Sequence, residues 1–77
     1  NPVRDAASIT IHSISDENID LQLVSADGSL VYKEMIRAGR GSVTHNFSVR
    51  KFSDGIYTLV FRNNEGEILR KERLLIQ

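Results

Sequence analysis

The side chains able to do chemistry near neutral pH are few: His12 and His45 are the only histidines, and cysteine is absent. A metal site or a general base built on imidazole needs partners that converge on it. Each histidine instead falls on an alternating run that reads as strand. His45 falls on the inward set, as a core-edge or half-exposed residue, and both are read as structural. No serine sits in the G-x-S-x-G context of a nucleophile elbow. Two acidic turns have the composition of a calcium loop, Asp16-Glu17-Asn18 with Asp20 and Asn63-Asn64-Glu65 with Glu67. Neither follows the D-x-[DN]-x-[DN]-G spacing, so both are read as solvated turns. There is no Trp to form a sugar-binding platform, and Tyr and Phe fall mostly on the core pattern. The sequon Asn46-Phe47-Ser48 lies inside an expected strand. No reactive constellation points to an enzyme, and no cofactor is called for.

Composition narrows the class further. At 77 residues the chain is one domain at most, without disulfides, resting on its apolar core alone. Val, Ile, Leu and Phe are plentiful enough to rule out disorder. Ten basic and ten acidic residues balance. The basic ones are dispersed apart from Arg70, Lys71 and Arg73, which argues against a nucleic-acid face. No apolar run approaches the ~20 residues of a membrane helix. The start at Asn1-Pro2 reads as a domain cut from a larger parent, and any signal peptide would belong to that longer chain.

The elements follow from period-two patterning. Pro2 suits the start of a strand or the end of a linker. Residues 8–12 place Ile9 and Ile11 on one face, and residues 15–18 read as a polar turn. Ile19, Leu21 and Leu23 then alternate with Asp20 and Gln22. Asp27-Gly28 between apolar runs signals a hairpin, because Gly28 can take positive φ without a Cβ clash. Residues 30–36 form a third strand of ambiguous face: Leu30, Tyr32 and Ile36 are one set, Val31 and Met35 the other. Residues 37–41 read as an exposed loop. Val43, His45, Phe47 and Val49 mark a fourth strand, with Phe52 tucked under the turn that follows. Tyr57, Leu59 and Phe61 mark a fifth, and the apolar outward Val60 places it inside a sheet. Residues 63–66 turn again. Residues 68–76 form a last strand whose charges suit a sheet edge. The pattern predicts an all-β, Ig-like antiparallel β-sandwich of about six to seven short strands. Its core is expected at Ile9, Ile11, Leu21, Leu23, Phe47, Val49, Tyr57, Leu59 and Phe61.

The order of motifs resembles a known family, the C-terminal sorting domain of proteins exported by the type IX secretion system of Bacteroidetes. Asn1-Pro2-Val3-Arg4-Asp5 before the first strand is similar to the family's NP-x-x-D start. Residues 21–31, strand, Asp27-Gly28 turn and Val31, resemble its central motif. Phe47-Ser48-Val49 and Phe52-Ser53-Asp54-Gly55-Ile56-Tyr57 resemble its L-x-x-G-x-Y segment, with Phe52 in place of leucine. Lys71-Glu72-Arg73-Leu74-Leu75-Ile76-Gln77 resembles its basic-then-aliphatic C-terminus, with Arg73 in place of lysine. The family pattern favours Val31 inward and Leu30 outward.

The resemblance implies a folded address label without activity of its own, residues 1–77 being the C-terminal module of a longer exported protein. It implies passage through the periplasm and the outer-membrane translocon to the cell surface or medium. The implied partners are outer-membrane shuttle or translocon proteins and a sortase-like protease that removes the domain and attaches the cargo. Recognition is expected at Gly28, Lys71, Arg73, Leu74, Leu75 and Ile76, the last strand being read by β-augmentation or by burial of its aliphatic end. Gly28 has an equal structural reading, as the residue that lets the hairpin close. The alternative is an Ig-like binding or spacer module of a bacterial surface protein. Exposed edges leave dimerisation or strand swapping open.

Overall fold

Alternating apolar and polar residues make strands wherever the alternation runs for more than a few residues. The computed structural model describes residues 3–13 and 15–77; Asn1, Pro2 and Ile14 lie outside them, and with them the role expected of Pro2. The strands are β1 (Ala6–Ser13), β2 (Glu17–Ser25), β3 (Leu30–Ala38), β4 (Gly41–Ser48), β5 (Gly55–Arg62) and β6 (Ile68–Ile76), with no helix among the described residues. They form a two-stranded sheet, β1-β4, and a four-stranded sheet ordered β3-β2-β5-β6. All pairs of strands are antiparallel. The expected all-β sandwich is the architecture found.

Register decides what each sheet turns inward. In the larger sheet Leu21 lies between Glu34 and Phe61, and Leu23 between Tyr32 and Leu59. In the smaller sheet Ala7 opposes Phe47 and Ile9 opposes His45. The two inner faces meet in one cluster, in which Leu21, Leu23, Leu59, Val49 and Ile76 are wholly or almost wholly enclosed. Burial of each such aliphatic side chain contributes about 1.5–3 kcal/mol. All the expected core residues are buried except Ile11, which is partly buried against the cluster. Val60 is also buried, but on the outer face of the larger sheet, in register with Gln22 and Lys71. That agrees with the interior position of β5.

Three expectations need correction. Val31 does not point inward. The inward residues of β3 are Tyr32, Glu34, Ile36 and Ala38, because they oppose the inward residues of β2. A register shift at Leu23/Val24 leaves both Leu30 and Val31 exposed at the start of the strand. The loop expected over residues 37–41 shrinks to Gly39 and Arg40 between β3 and β4. Ala38 is fully enclosed, since a side chain this small fits under the closely packed second sheet. The polar turn expected at residues 15–18 also ends early, as Glu17 and Asn18 already pair with Ala38 and Arg37.

Candidate recognition site

The terminal strand β6 is an edge of the larger sheet. Period-two geometry splits the residues expected there into two groups. Leu74 and Ile76 turn toward the core, with Ile76 2% exposed. Lys71, Arg73 and Leu75 turn to the outer face, where Lys71 pairs in register with Val60 and Arg73 with Thr58. The basic cluster is divided in the same way. Arg70 lies on the inner side, its guanidinium 5.6 Å from the centroid of the Phe61 ring. It also donates to the Thr10 carbonyl at 3.3 Å and forms an ion pair with Glu72. These inward charges lie between β6 and β1 and disfavour strand addition there.

The backbone of β6 is partly covered. Val3 N–H donates to Leu75 O at 2.9 Å, and Gln77 N–H donates to Val3 O at 2.9 Å. Val3 thus forms a parallel bridge with Ile76 at the strand's end. Since Leu75 and Gln77 direct backbone groups to the open side, alternation directs those of Lys71 and Arg73 there too. That stretch carries the unpaired edge.

Gly28 lies in the turn between β2 and β3. Gly28 N–H donates to Ser25 O at 3.0 Å and Ser25 N–H to Ser29 O at 2.9 Å. Gly28 has φ of 90°, and no non-glycine residue has positive φ among the described residues. The loop is therefore a turn over residues 25–28 whose last residue is a left-handed glycine, not a primed two-residue turn. The Asp27 carboxylate accepts hydrogen bonds from the Ser25 hydroxyl and from Ser29 N–H. These hold its pKa below the usual carboxylate value. A Cβ on Gly28 would meet nothing within 4 Å, so what the position demands is the backbone angle.

Tertiary structure brings this turn and the tail together. Ser25 pairs with Tyr57, and Tyr57 with Leu74. The Gly28 turn and the end of β6 thus occupy the same end of the sheet, with the start of β5 between them. A shallow surface hollow of about 410 Å³ lies there, lined by the turn and by residues 53–57. Asp27 and Asp54 give this end an acidic rim. Ile56, 49% exposed and in register with Leu75, belongs to the same area. Sequence reading missed Ile56; its outward place in the alternation of residues 55–62 was the available signal.

Aromatic packing supports this end from within. Phe52 packs 6.2 Å from Tyr57 and 6.0 Å from Tyr32, centroid to centroid, and Tyr32 stacks on Phe47 at 5.5 Å. The Tyr57 hydroxyl donates to Ser53 O at 2.7 Å, fastening the turn to the strand it leads into. Beside this cluster Glu34 accepts from the Tyr32 hydroxyl at 2.6 Å, and its Oε2 lies 2.8 Å from His45 Nε2. The Tyr32 hydroxyl and then His45 hold the Glu34 carboxyl below its usual pKa, while the Glu34 bond pushes Tyr32 up to about 12. His12 Nδ1 lies 2.7 Å from Ser42 Oγ. These contacts join β3 to β4 and β1 to β4. Among the described residues no group of three His, Cys, Asp or Glu is placed to hold a metal ion.

Comparison of sequences says what kind of domain carries this arrangement. A family model described as the secretion system C-terminal sorting domain matches residues 1–77. The chain belongs to this family, the C-terminal sorting domains of type IX secretion. No match was found among curated proteins or solved structures. The domain is thus a secretion sorting signal, which implies export to the cell surface or medium. Its motifs now have physical roles. Asp5 O accepts from Val49 N–H at 2.9 Å, and its carboxylate pairs with Arg50 at 3.2 Å, so the acidic residue of the opening motif ties β1 to the end of β4. Phe52 and Tyr57 build the aromatic cluster. Ile76 closes the core with Leu74 partly buried against it, while Lys71 and Arg73 are exposed and Leu75 is half-buried on the outer face.

Proposed function

We propose that this sorting domain is the C-terminal address module of a longer exported protein and acts as a folded unit without catalysis. An outer-membrane shuttle or translocon component reads it after passage through the periplasm. A sortase-like protease then removes it and attaches the cargo at the cell surface. Recognition uses the end of the sheet where the Gly28 turn meets β6. Lys71, Arg73 and Leu75 make contact, Leu74 and Ile76 hold the strand in place, and Gly28 closes the turn. The observation that carries this reading is the family match over the full length. The division of β6 into a sealed side and an exposed side supports it, because a label must keep its fold while offering residues to a partner.

The test fuses residues 1–77 to an exported reporter in a type IX-competent bacterium. The expected outcome is secretion of the reporter, reduced by the pair Lys71→Ala and Arg73→Ala. Both residues are exposed, so circular dichroism should show an unchanged fold. Full secretion by the double variant would remove the tail from the site. A reporter that stays in the periplasm with the intact domain would favour a spacer or binding module instead.

A further inference from the structure

The outer face of the four-stranded sheet has a charge distribution that the neutral composition conceals. Of the strand-borne acids, Glu17, Glu34 and Glu72 lie opposite inward-facing residues, leaving Asp20 as the acid on the outer face. The remaining acids lie in turns and connections. Asp20 is in register with Arg62 across the β2–β5 pair and accepts from Gln22 Nε2 at 3.2 Å. Arg37 pairs with Asp16 at 3.9 Å. Lys33, Lys71 and Arg73 have no acidic partner among the described residues.

Their positions are regular. One row across the sheet reads Lys33–Gln22–Val60–Lys71, and the next Leu30–Val24–Thr58–Arg73. Three strand spacings separate Lys33 from Lys71, about 14 Å. Between these cationic edges Val24, Gln22 and Thr58 are half-exposed over the buried Val60. Leu30 is 53% exposed at its margin. A cationic rim around an apolar, hydrogen-bonding centre is the surface a protein partner with carboxylates at matching spacing would complete.

We infer that this face is a docking surface for an acidic protein surface of the secretion machinery, with Lys33 on β3 as a contact remote from the terminal motif. The inference rests on the sorting reading and extends its site from the end of β6 across the whole sheet. A membrane fits less well. Attraction to anionic lipid grows by about 1 kcal/mol per cation near the surface, and three cations spread over the face fall short of the clusters of about four to eight that lipid recognition uses. The face measures ~19 Å by roughly 25 Å from strand spacing and rise, on the order of 500 Å². Doubled for two partners, that is at the low end of specific interfaces, below about 1,200 Å². A small interface suits a label that must be released after use.

The experiment places Lys33→Glu in the secretion fusion of residues 1–77, with Lys33→Arg as the charge-keeping control. The expected result is secretion about tenfold lower for Lys33→Glu and unchanged for Lys33→Arg, since charge reversal at an interface rim lowers association by about this order. Thermal midpoints of the purified domains should match. If Lys33→Glu shifts the midpoint, Lys33→Ala takes its place, with about a threefold loss expected. Full secretion by the charge-removing variant, while the Lys71 and Arg73 pair still lowers it, overturns the extended face and leaves the terminal site standing. No secretion by the unaltered fusion overturns the sorting reading and this inference together. Purified domain is also mixed with vesicles of phosphatidylglycerol and phosphatidylcholine. Binding that needs Lys33 and phosphatidylglycerol overturns the protein partner in favour of a membrane.

Discussion

The two faces of the four-stranded sheet share the same strands and hydrogen bonds but differ in what their residues do. Along β2, Leu21 and Leu23 are wholly enclosed, while Gln22 between them is half-exposed. Along β6, Leu74 packs on the core while Lys71, Arg73 and Leu75 face outward. The inner face is specified by volume, because close-packed interiors register the loss of a single methylene. The outer face is specified by charge and by which apolar groups stay accessible. The difference teaches that substitutions at inward positions test folding, while those at exposed outward positions leave the fold intact, even one residue apart.

That contrast can be broken by measurement. Leu21→Ala should cost about 3 kcal/mol in denaturant unfolding, as in a typical large-to-small core substitution, while Gln22→Ala should stay within about 0.5 kcal/mol. Equal costs would mean the faces are not distinct. Val60 sharpens the comparison, being buried on the outer side. Val60→Ala should cost roughly 1–1.5 kcal/mol, since neighbouring side chains cover it and no second sheet does. A cost matching that of Leu21→Ala would show that the outer face has a core of its own.

Gly28→Ala should cost ~1 kcal/mol, read as a fall in the thermal midpoint. Gly66→Ala should cost the same. Gly66 N–H donates to Asn63 O at 3.0 Å and Asn63 N–H to Glu67 O at 3.0 Å, repeating the Gly28 turn with φ of 80°. If only Gly28→Ala lowers secretion although both lower stability alike, the Gly28 turn is read by a partner and is more than a hinge.

The smallest effect concerns pH and belongs to the inner face. Glu34 has its folded pKa below the unfolded value of 4.5. Its contribution is therefore present above pH 4.5 and is lost as pH falls through the lowered folded value. Tyr32 titrates the other way: its pKa rises from 10.0 to about 12. Its contribution is present below pH 10 and is lost as pH rises through about 12. Glu34→Gln should flatten both limbs of a plot of thermal midpoint against pH, with a cost near neutrality of about 1 kcal/mol from weakened hydrogen bonds.

Much of this was legible in the order of residues. Strong alternation at Ile19, Leu21 and Leu23 and at Tyr57, Leu59 and Phe61 predicts strands with the correct inward sets. The charges of β6 predict an edge. Failures came where local pattern is silent about partners. Leu30 and Val31 are both apolar, and a register shift on the neighbouring strand left both outside. Ala38 sits among glycines and arginines, which look like a loop, yet it is enclosed by the opposing sheet. The candidate site was half legible. Lys71 and Arg73 stand out in the terminal motif, but Lys33 and Ile56 join them only through pairings between strands distant in sequence.

The sequence by itself determined the all-β class, the turn glycines, the charged last strand and the family to which the chain belongs. These depend on near neighbours, on side-chain alternation and on the φ values a residue can adopt. Tertiary structure alone decided that Leu74 and Ile76 turn to the core while Lys71, Arg73 and the half-buried Leu75 turn to the outer face. It also placed the Gly28 turn beside the end of β6 and Lys33 across the sheet from Lys71. Those relations are set by the order β3-β2-β5-β6 and its register. Register is a property of pairs of strands, and a shift of one residue would exchange the two faces.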